Sequence, residues 1–567
     1  MRKAIPLLIL AFIMIAGCSG PAKPPAPAGP EEAILAKMSL DEKIGQLFMP
    51  GFNGREMNDT IRDAVVNYRL GGFIFMAPRN VLNRKQAARL TADIQSLAKS
   101  TGTGIPLLFS IDQEGGIGSH INMLTGGVDT PGNLALGAAV DPHVTYLSYK
   151  IMSDDLNAYG IHMALAPVLD LLINKGNTMN HVRSFGSDAE KVSARAAESV
   201  RGLQDNGSIA CVKHFPGKGE TTVDSHKSAP VNRWDRAKCE KTILAPFRAA
   251  IEAGADSVMI GHEIYEGLDA KNVATVSKKI ITGLLKKEMG FEGLVITDSI
   301  TMGGVTKSMD AIDASVLAIA AGADMILFAG DSPNNYIKGT AAMKAALESG
   351  KLDMERIDDA VRRILRVKIK YGLFEEKEQM PPPVYANLKK ENLKLSRDLA
   401  RKTIAIVKNE GGLLPLDRDK ADRYLLVTPK TFFTVPLMES LFPIGTTLGI
   451  KVKKIAPEIR LSEFDLSTIE LDTRQAIERS RDADVIIVGT ILAYFSDEIS
   501  GMVRQLKATG KPVVVVGLSV PYDLEKFPDV DAFICSFSPR SVSLEAVAEA
   551  LFGKFEPEGE LPVGVDM

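Results

Sequence analysis

Short apolar runs alternate with amphipathic stretches through the first two thirds of the chain, from Glu31 to about Leu373. The runs have the length of buried parallel strands, and the stretches between them carry apolar residues at helical spacing. Eight such repeats predict an α/β fold that begins with a (β/α)8 TIM-type barrel over residues 31–375. The predicted strands are Gln46–Met49, Gly72–Met76, Leu107–Ile111, His162–Pro167, Ile209–Lys213, Ser257–Ile260, Leu294–Thr297 and Met325–Phe328, and the predicted helices include Arg84–Lys99, Asp188–Asn206, Arg236–Ala253, Lys278–Lys287 and Ala311–Ala321.

A charged, proline-rich break follows the last helix of the barrel pattern, Met354–Tyr371. It contains Glu375–Glu378 and Pro381–Pro383, and this composition predicts a linker over residues 376–395. A helical pattern begins at Asn387–Lys402, and strand and helix patterns then resume, which predicts a smaller, open α/β sandwich domain over residues 396–567. Its predicted strands are Thr403–Val407, Tyr424–Val427, Val485–Val488, Pro512–Val516 and Ala532–Cys535, with helices at Thr473–Arg481 and Glu498–Thr509.

The N-terminus has the pattern of an export signal. Arg2 and Lys3 precede the apolar stretch Ala4–Ile15, which is too short to span a bilayer. Ile15–Cys18 resembles the lipobox of a bacterial lipoprotein, which implies that residues 1–18 are a lipoprotein signal peptide with its lipobox cysteine, cleaved before Cys18, and that Cys18 is lipidated. Residues 19–30 are rich in proline and alanine and predict an extended tether. We therefore expect a cell-envelope protein that is lipid-anchored at the periplasmic face of a membrane or at the cell surface; a cleaved secretory signal with an incidental cysteine is the alternative.

Composition narrows the classes of function. The 567-residue chain has a formal net charge of −3, so it has no global attraction for nucleic acid. Its four cysteines have the spacing of neither a disulfide framework nor a zinc site. The predicted second domain has no glycine-rich phosphate-binding loop at its strand ends, so a nucleotide-binding role is not supported. The sequence therefore predicts no metal and no cofactor, and it defines no oligomeric state.

Polar side chains follow five of the predicted barrel strands. A TIM barrel places its chemistry at the carboxyl ends of its strands, so these side chains are expected to meet at one end of the barrel. For any one of them alone, a solvated residue at a strand end is the simpler interpretation. The residues are Asp112, Asp170, Lys213, His214, His262, Glu263 and Asp298.

The loop that follows the fifth strand carries a possible acid/base pair. It begins with Lys213 and His214, is held open by glycines and a proline, and ends with Asp224 and His226 two positions apart. A carboxylate beside an imidazole fixes the tautomer of the ring and raises its basicity, so the histidine can exchange protons near neutral pH. The alternative is a glycine-rich surface loop that carries polar residues without a chemical role.

Asp298 ends the seventh predicted strand, in the segment Leu294–Met302. A carboxylate in this position can attack the anomeric carbon of a sugar and form a covalent glycosyl-enzyme intermediate. A retaining glycosidase also needs a group that protonates the leaving oxygen and later deprotonates water. His226, oriented by Asp224, can supply that group. The alternative for Asp298 is a helix N-cap, a position at which aspartate is favoured.

These motifs together resemble the β-N-acetylhexosaminidase branch of glycoside hydrolase family 3. Ile111–Gly116 and Pro167–Asp170, with Arg183–Asp188 after it, resemble sugar-binding motifs of the family. Lys213–His226 resembles the signature loop of the N-acetylglucosaminidase branch, and Ile296–Asp298 resembles the nucleophile strand. Leu551–Gly553 with Gly559–Val563 resembles the end of the family's second domain.

The resemblance implies roles for individual residues. Asp298 would be the nucleophile, and His226 with Asp224 the acid/base. Asp112, Arg183, Lys213 and His214 would bind the hydroxyls and N-acetyl group of a terminal N-acetylglucosamine (GlcNAc). The implied substrates are peptidoglycan fragments or other glycans with terminal β-linked GlcNAc.

The sequence departs from the family pattern in the same motifs. Ile117 and His120 stand where the family usually has arginines, which bears on sugar affinity and specificity. His120 either replaces part of a lost contact or is a solvated loop residue. Lys218 stands in place of a histidine of the signature loop, and Ser299 in place of an aspartate beside the nucleophile.

Two further functions are consistent with the sequence. A β-N-acetylglucosaminide phosphorylase would use the same residues with phosphate in place of water, because a histidine acid/base does not repel an anionic acceptor as a carboxylate would. A non-catalytic, glycan-binding envelope lipoprotein is the other alternative, supported only by the missing arginines.

Overall fold

The computed structural model describes residues 29–330, 332–376, 378–430 and 447–566. The predicted signal, Cys18 and most of the predicted tether lie outside the described residues, and Pro30 begins a helix, Pro30–Leu35. Within the described ranges, every helix is too short or too polar to cross a membrane.

Eight parallel strands form the first domain, as predicted. The first strand pairs with the eighth, and the second to the seventh follow one another in a continuous ladder. Parallel bridges between Gly51 and Ile74 and between Ile296 and Met325 join these two sheets into a closed ring. The strands are Phe48–Pro50 (β1), Gly72–Phe75 (β2), Leu108–Ile111 (β3), Met163–Ala164 (β4), Ile209–Phe215 (β5), Ser257–Ile260 (β6), Leu294–Thr297 (β7) and Ile326–Phe328 (β8).

The helices of the barrel follow their strands in the predicted order. They are Leu40–Gln46, Asp59–Val66, Arg84–Lys99, Asn133–Ala138, His143–Tyr159, Ala189–Gln204, Arg236–Lys241, Leu244–Glu252, Glu266–Asp269, the π-helix Lys279–Glu288, Gly303–Thr306, Ala311–Ala321, Pro333–Glu348 and Met354–Lys370.

Two barrel elements differ from the prediction. β4 has only two residues, and the predicted strand His162–Pro167 ends in a proline, which has no N–H to donate to a neighbouring strand. The predicted helix Arg236–Ala253 is broken at Thr242, whose φ and ψ of −118° and −92° are not helical. The Thr242 hydroxyl donates to the Lys238 carbonyl oxygen, a local bond that competes with continuation of the helix.

The second domain is an open six-stranded sheet flanked by helices. The strands are Ala405–Asn409 (β9), Tyr424–Pro429 (β10), Arg460–Phe464 (β11), Val485–Thr490 (β12), Val513–Gly517 (β13) and Ala532–Cys535 (β14), and the helices are Leu448–Ile455, Ile469–Ser480, Asp497–Lys507 and Ser541–Leu551. The strand order is β9-β14-β13-β12-β10-β11, and in this sheet only the pairing of β9 with β14 is antiparallel. The prediction omitted β11, an edge strand whose polar residues weaken its strand pattern.

The segment predicted as a linker, residues 376–395, is largely helical. The helix Pro382–Arg401 begins at a proline, which is tolerated in the first turn because its missing N–H would have had no partner there. Tyr385 of this helix donates to buried Asp155 at 2.8 Å, and Ser396 donates to the carbonyl oxygen of Asp129 at 2.6 Å. The connection is therefore a helix packed on the barrel rather than an extended tether.

The apolar core of the second domain continues into the first. Ile117, Leu134, Leu172 and Val182, from the loops after β3 and β4, pack in the same cluster as the strands of the second domain. The guanidinium of buried Arg540 donates to the carbonyl oxygen of Gly116 at 2.8 Å. The second domain therefore braces the loops that frame the carboxyl end of the barrel.

Candidate active site

A network of four charged side chains lies at the carboxyl ends of β3, β4 and β5. The ammonium of Lys213, on β5, contacts Asp112 Oδ1 at 2.5 Å and Glu114 Oε1 at 2.7 Å. The guanidinium of Arg183 holds both oxygens of Glu114, with N–O distances of 2.7 and 2.8 Å. Glu114 and Lys213 are buried, whereas 31% of the Asp112 side chain is exposed. Asp112 is therefore the carboxylate of this network that faces the open end of the barrel.

Electrostatic attraction within this network shifts the pKa values of Glu114 and Lys213. Burial opposes the ionisation of Glu114, but Arg183 and Lys213 outweigh it and hold the pKa of Glu114 far below its usual value. Burial alone would lower the pKa of Lys213, yet Asp112 and Glu114 raise it above the ordinary lysine value. Glu114, Arg183 and Lys213 therefore stay charged at neutral pH, and the network gives a rigid set of donors and acceptors for a polyhydroxylated ligand.

His214 lies beside this network and is oriented by Asp170. Its Nδ1 contacts Asp170 Oδ2 at 2.7 Å, and the Asp170 side chain is completely buried. Burial, aided by the nearby Lys218 ammonium, lowers the pKa of His214 below the usual histidine value. At neutral pH, Nδ1–H of a neutral ring therefore donates to Asp170, and Nε2 is left as an acceptor toward the pocket.

Asp298 follows β7 directly and is not a helix N-cap. The next helix, Gly303–Thr306, begins after Met302, and the hydrogen bond that Asp298 Oδ1 accepts among the described residues comes from the neighbouring N–H of Ser299, at 2.7 Å. Burial opposes its ionisation, but electrostatic attraction from His214 and His262, which are protonated at the low pH where Asp298 titrates, and from Lys218 outweighs this effect and lowers the pKa of Asp298. The carboxyl is therefore ionised at neutral pH, with 16% of its side chain exposed at the carboxyl end of the barrel. Such a carboxylate can act as a nucleophile.

Asp224 and His226 form the predicted pair in the loop after β5. Asp224 Oδ1 contacts His226 Nδ1 at 2.8 Å, and 57% of the His226 side chain is exposed. Burial would raise the pKa of Asp224, but its bonds to the backbone and ring of His226 lower it. Asp224 is therefore the anionic partner that orients the ring.

Backbone bonds tie this loop to the segment that follows Asp298. The N–H groups of Gly303 and Gly304 donate to the carbonyl oxygens of His226 and Ser225, at 3.0 and 2.8 Å. A Cβ on Gly303 would lie 2.6 Å from the His226 carbonyl oxygen, so the two segments approach at a distance that only glycine permits. The structure thus brings His226 and Asp298 to the same end of the barrel.

The positions that depart from the family pattern are buried. His120 is not a solvated loop residue, because it is 4% exposed and its Nδ1 accepts the N–H of Ala77 at 2.9 Å. Ile117 packs against the second domain. Lys218 is also buried, and its ammonium forms no hydrogen bond or ion pair with another described residue.

The sequence does not reveal the roles of three residues of the site: Glu114, Asp170 and Lys218. Glu114 lies inside a quoted motif, but its bonds to Arg183 and Lys213 join positions that are 69 and 99 residues apart. Asp170 was noted at its strand end without its role in orienting His214. Lys218 appeared only as a departure from a pattern. All three residues can be read from the sequence, but their roles depend on tertiary contacts that the sequence does not show.

The described part of the chain contains no group of three or more His, Cys, Asp or Glu residues placed to hold a metal ion.

The fold and this site define a carbohydrate-active barrel enzyme with a bracing second domain. The family model of the glycosyl hydrolase family 3 N-terminal domain matches residues 39–367, and that of the family's C-terminal domain matches residues 404–566. The chain belongs to glycoside hydrolase family 3 and is a glycoside hydrolase.

Proteins similar to this chain include named β-N-acetylglucosaminidases and a β-glucoside phosphorylase. A β-N-acetylglucosaminidase/β-glucosidase of Cellulomonas fimi is 29% identical over 93% of this chain and 94% of its own. The structure of a family 3 β-N-acetylglucosaminidase from Paenibacillus sp. aligns with a TM-score of 0.86 and 33% identity, and the match covers 93% of this chain and 99% of that one. A β-glucoside phosphorylase structure aligns with a TM-score of 0.77 and 25% identity, covering 94% of this chain and 96% of that one.

Proposed function

We propose that the protein is a retaining exo-β-N-acetylglucosaminidase that removes terminal β-linked GlcNAc through a covalent glycosyl-Asp298 intermediate. The observation that carries the proposal is the joining of the Asp224–His226 pair to the Asp298 segment by the Gly303 and Gly304 backbone bonds. Likeness to relatives named as N-acetylglucosaminidases supports the choice of sugar.

The reaction proceeds in two displacements. Asp298 attacks the anomeric carbon, the glycosidic bond breaks, and the leaving oxygen takes a proton from the His226 imidazole. His226 then removes a proton from water, the hydroxide oxygen displaces the Asp298 carboxylate, and GlcNAc leaves with its β configuration restored. Asp224 stays ionised throughout and stabilises the charged imidazole.

The charged network supplies the binding site for the terminal sugar. Asp112, with its partly exposed side chain, accepts from hydroxyls, while Lys213 and Arg183 donate. His214 Nε2 accepts one further hydroxyl. Peptidoglycan fragments and related glycans with terminal GlcNAc are the proposed substrates, and a lipid anchor at Cys18 would hold the enzyme at the cell envelope where such glycans occur.

Phosphorolysis is the second candidate, and the position of Lys218 favours it. The ammonium of this buried lysine has no ion-pair partner within the described residues. Together with His214 and His262, it offsets the effect of burial on the pKa of Asp298. A free cation beside the nucleophile attracts an anionic acceptor, and a histidine acid/base does not repel it. Turnover in phosphate and in a non-phosphate buffer separates the candidates: GlcNAc 1-phosphate supports phosphorolysis, and free GlcNAc alone in phosphate excludes it.

Cleavage of an aryl β-N-acetylglucosaminide tests the main proposal. Asp298→Ala removes the nucleophile and is expected to lower kcat by three or more orders of magnitude. His226→Ala is expected to lower kcat by about 10²–10⁴-fold with poor leaving groups and by less with good ones. Turnover that survives in folded Asp298→Ala protein would contradict the proposal, and the absence of any turnover by the wild-type protein would instead favour a glycan-binding role.

A further inference from the structure

Glu263 is a buried carboxylic acid near the site that, unlike Asp298, takes no part in the proposed reaction. Glu263 follows His262 after β6, and none of its side chain is exposed. Neither carboxyl oxygen has a hydrogen-bond partner within the described ranges. A Cβ added to Gly261 would collide with Glu263 Oε2 and would lie 3.2 Å from the His214 Cβ, so the carboxyl lies against β5. Buried polar groups are normally hydrogen-bonded, so an unpartnered acid at this position calls for a functional explanation.

The loop that carries Lys218 is fastened beside this acid. The Tyr265 hydroxyl, two residues after Glu263, donates to the Gly217 carbonyl oxygen at 2.9 Å. The Asn232 side-chain amide donates to the Lys218 carbonyl oxygen at 3.2 Å. The backbone of Lys218 is therefore held next to the segment that carries Glu263. The Lys218 side chain is buried, and neither oxygen of the Glu263 carboxyl has a hydrogen-bond partner among the described residues.

Charged and titratable groups surround Glu263 on several elements. Lys218 in the loop after β5, Asp170 in the loop after β4 and Asp298 at the end of β7 act on Glu263 electrostatically. The titratable side chains of His214, His262 and Tyr265 adjoin it on β5 and on its own segment. Burial raises the pKa of Glu263 to about 8, because the attraction of Lys218 is too weak to offset burial and the repulsion of Asp170 and Asp298. Near neutral pH the acid is neutral.

We propose that Glu263 is a positioning residue that controls the ammonium of Lys218. As a neutral acid, Glu263 leaves Lys218 beside Asp298, on the side of the pocket that receives the sugar or an anionic acceptor. When Glu263 gives its proton to solvent, the new carboxylate draws Lys218 into a buried ion pair. A positive charge is then withdrawn from the nucleophile, and activity falls. This inference rests on the proposed function only in taking Asp298 as the nucleophile.

The pH dependence of kcat/KM on an aryl β-N-acetylglucosaminide tests the proposal. His226 itself must be protonated to act as the acid, so the profile is measured in a His226→Ala background with a good aryl leaving group that needs no protonation. In that background, with Glu263 intact, the profile is expected to fall with a midpoint near pH 8. In His226→Ala/Glu263→Gln, whose amide at position 263 cannot ionise, this alkaline limb is expected to disappear or to move up by more than one pH unit. A folded double variant that keeps the limb of His226→Ala would overturn the proposal.

A spectroscopic titration tests the inference without measuring turnover. It also does not depend on a single variant being folded. The infrared C=O band of a protonated buried acid is expected in the wild-type protein at pH 6 and should be lost by pH 9. In Lys218→Met, which removes the cation that favours ionisation, the loss should shift to higher pH. A band already lost at pH 6, or unmoved in Lys218→Met, would refute the inference. Failure of the proposed function would show differently, as a protein with the infrared titration but without N-acetylglucosaminide turnover.

Discussion

His214 Nε2 lies 3.9 Å from Asp298 Oδ2, beyond the reach of a direct hydrogen bond. With Nδ1–H donated to Asp170, Nε2 of the neutral ring is an acceptor that faces another acceptor. The gap between these two atoms suits a sugar hydroxyl that donates to the imidazole while the carboxylate remains free to attack carbon. The orientation of His214 therefore affects how freely the Asp298 carboxylate can reach the anomeric carbon.

Asp170→Asn is expected to lower kcat/KM by about 10–100-fold, because a hydrogen bond to a charged group contributes roughly 1.5–3 kcal/mol. The amide no longer fixes Nδ1–H of His214, so Nε2 is no longer held as an acceptor. Steady-state kinetics check this, with circular dichroism to show that the variant is folded. Unchanged kcat/KM in the folded variant would mean that His214 needs no orientation by Asp170.

Glu114→Gln is expected to lower the free energy of unfolding by about 3–5 kcal/mol, because it leaves Arg183 and Lys213 buried with only Asp112 to balance them. Glu560→Gln is the matched control, since it breaks the Lys191–Glu560 pair, in which both side chains are more than half exposed. We expect the control to change stability by less than about 1 kcal/mol. Urea unfolding of both variants measures the difference, and equal effects would contradict the assigned importance of the buried network.

Gly303→Ala is expected to lower kcat by about tenfold or more without unfolding the protein. The added Cβ would lie 2.6 Å from the carbonyl oxygens of His226 and Lys227, so it pushes the acid/base loop away from Asp298. Gly283→Ala is the control, because its Cβ would lie no nearer than 3.7 Å to the Lys278 carbonyl oxygen. Kinetics on both variants check the prediction. Equal activities would show that the loop tolerates displacement.

Asp155 is expected to make stability depend on pH. Burial raises its pKa from 3.8 to about 7, so between these values the folded protein holds a proton that the unfolded chain has lost. The contribution of Asp155 to stability is therefore complete below about pH 4 and is lost as the pH rises toward 7, at up to about 1.4 kcal/mol per pH unit. Asp155→Asn should remove this slope in chemical unfolding measured from pH 4.5 to 7. A slope identical to that of the wild type would be the contrary result.

The barrel was predictable because parallel strands buried on both faces appear as continuous apolar runs, as in Leu294–Thr297. The helix Pro382–Arg401 was partly mistaken for a linker because its prolines and charges mimic a flexible segment, although Tyr385 anchors it to Asp155. The residues that end the strands were found from the sequence alone. The contacts that make Glu114, Lys218 and Glu263 significant join distant parts of the chain, and no local pattern encodes them.

The most direct test of the central claim is mass spectrometry of peptides from protein reacted with a slow, fluorinated N-acetylglucosaminyl donor. The account predicts a mass increase of one sugar on the peptide that contains Asp298, lost in Asp298→Asn. A sugar attached to a different residue, or turnover of the donor with no attached sugar and an inverted product, would contradict the assignment of Asp298 as the nucleophile.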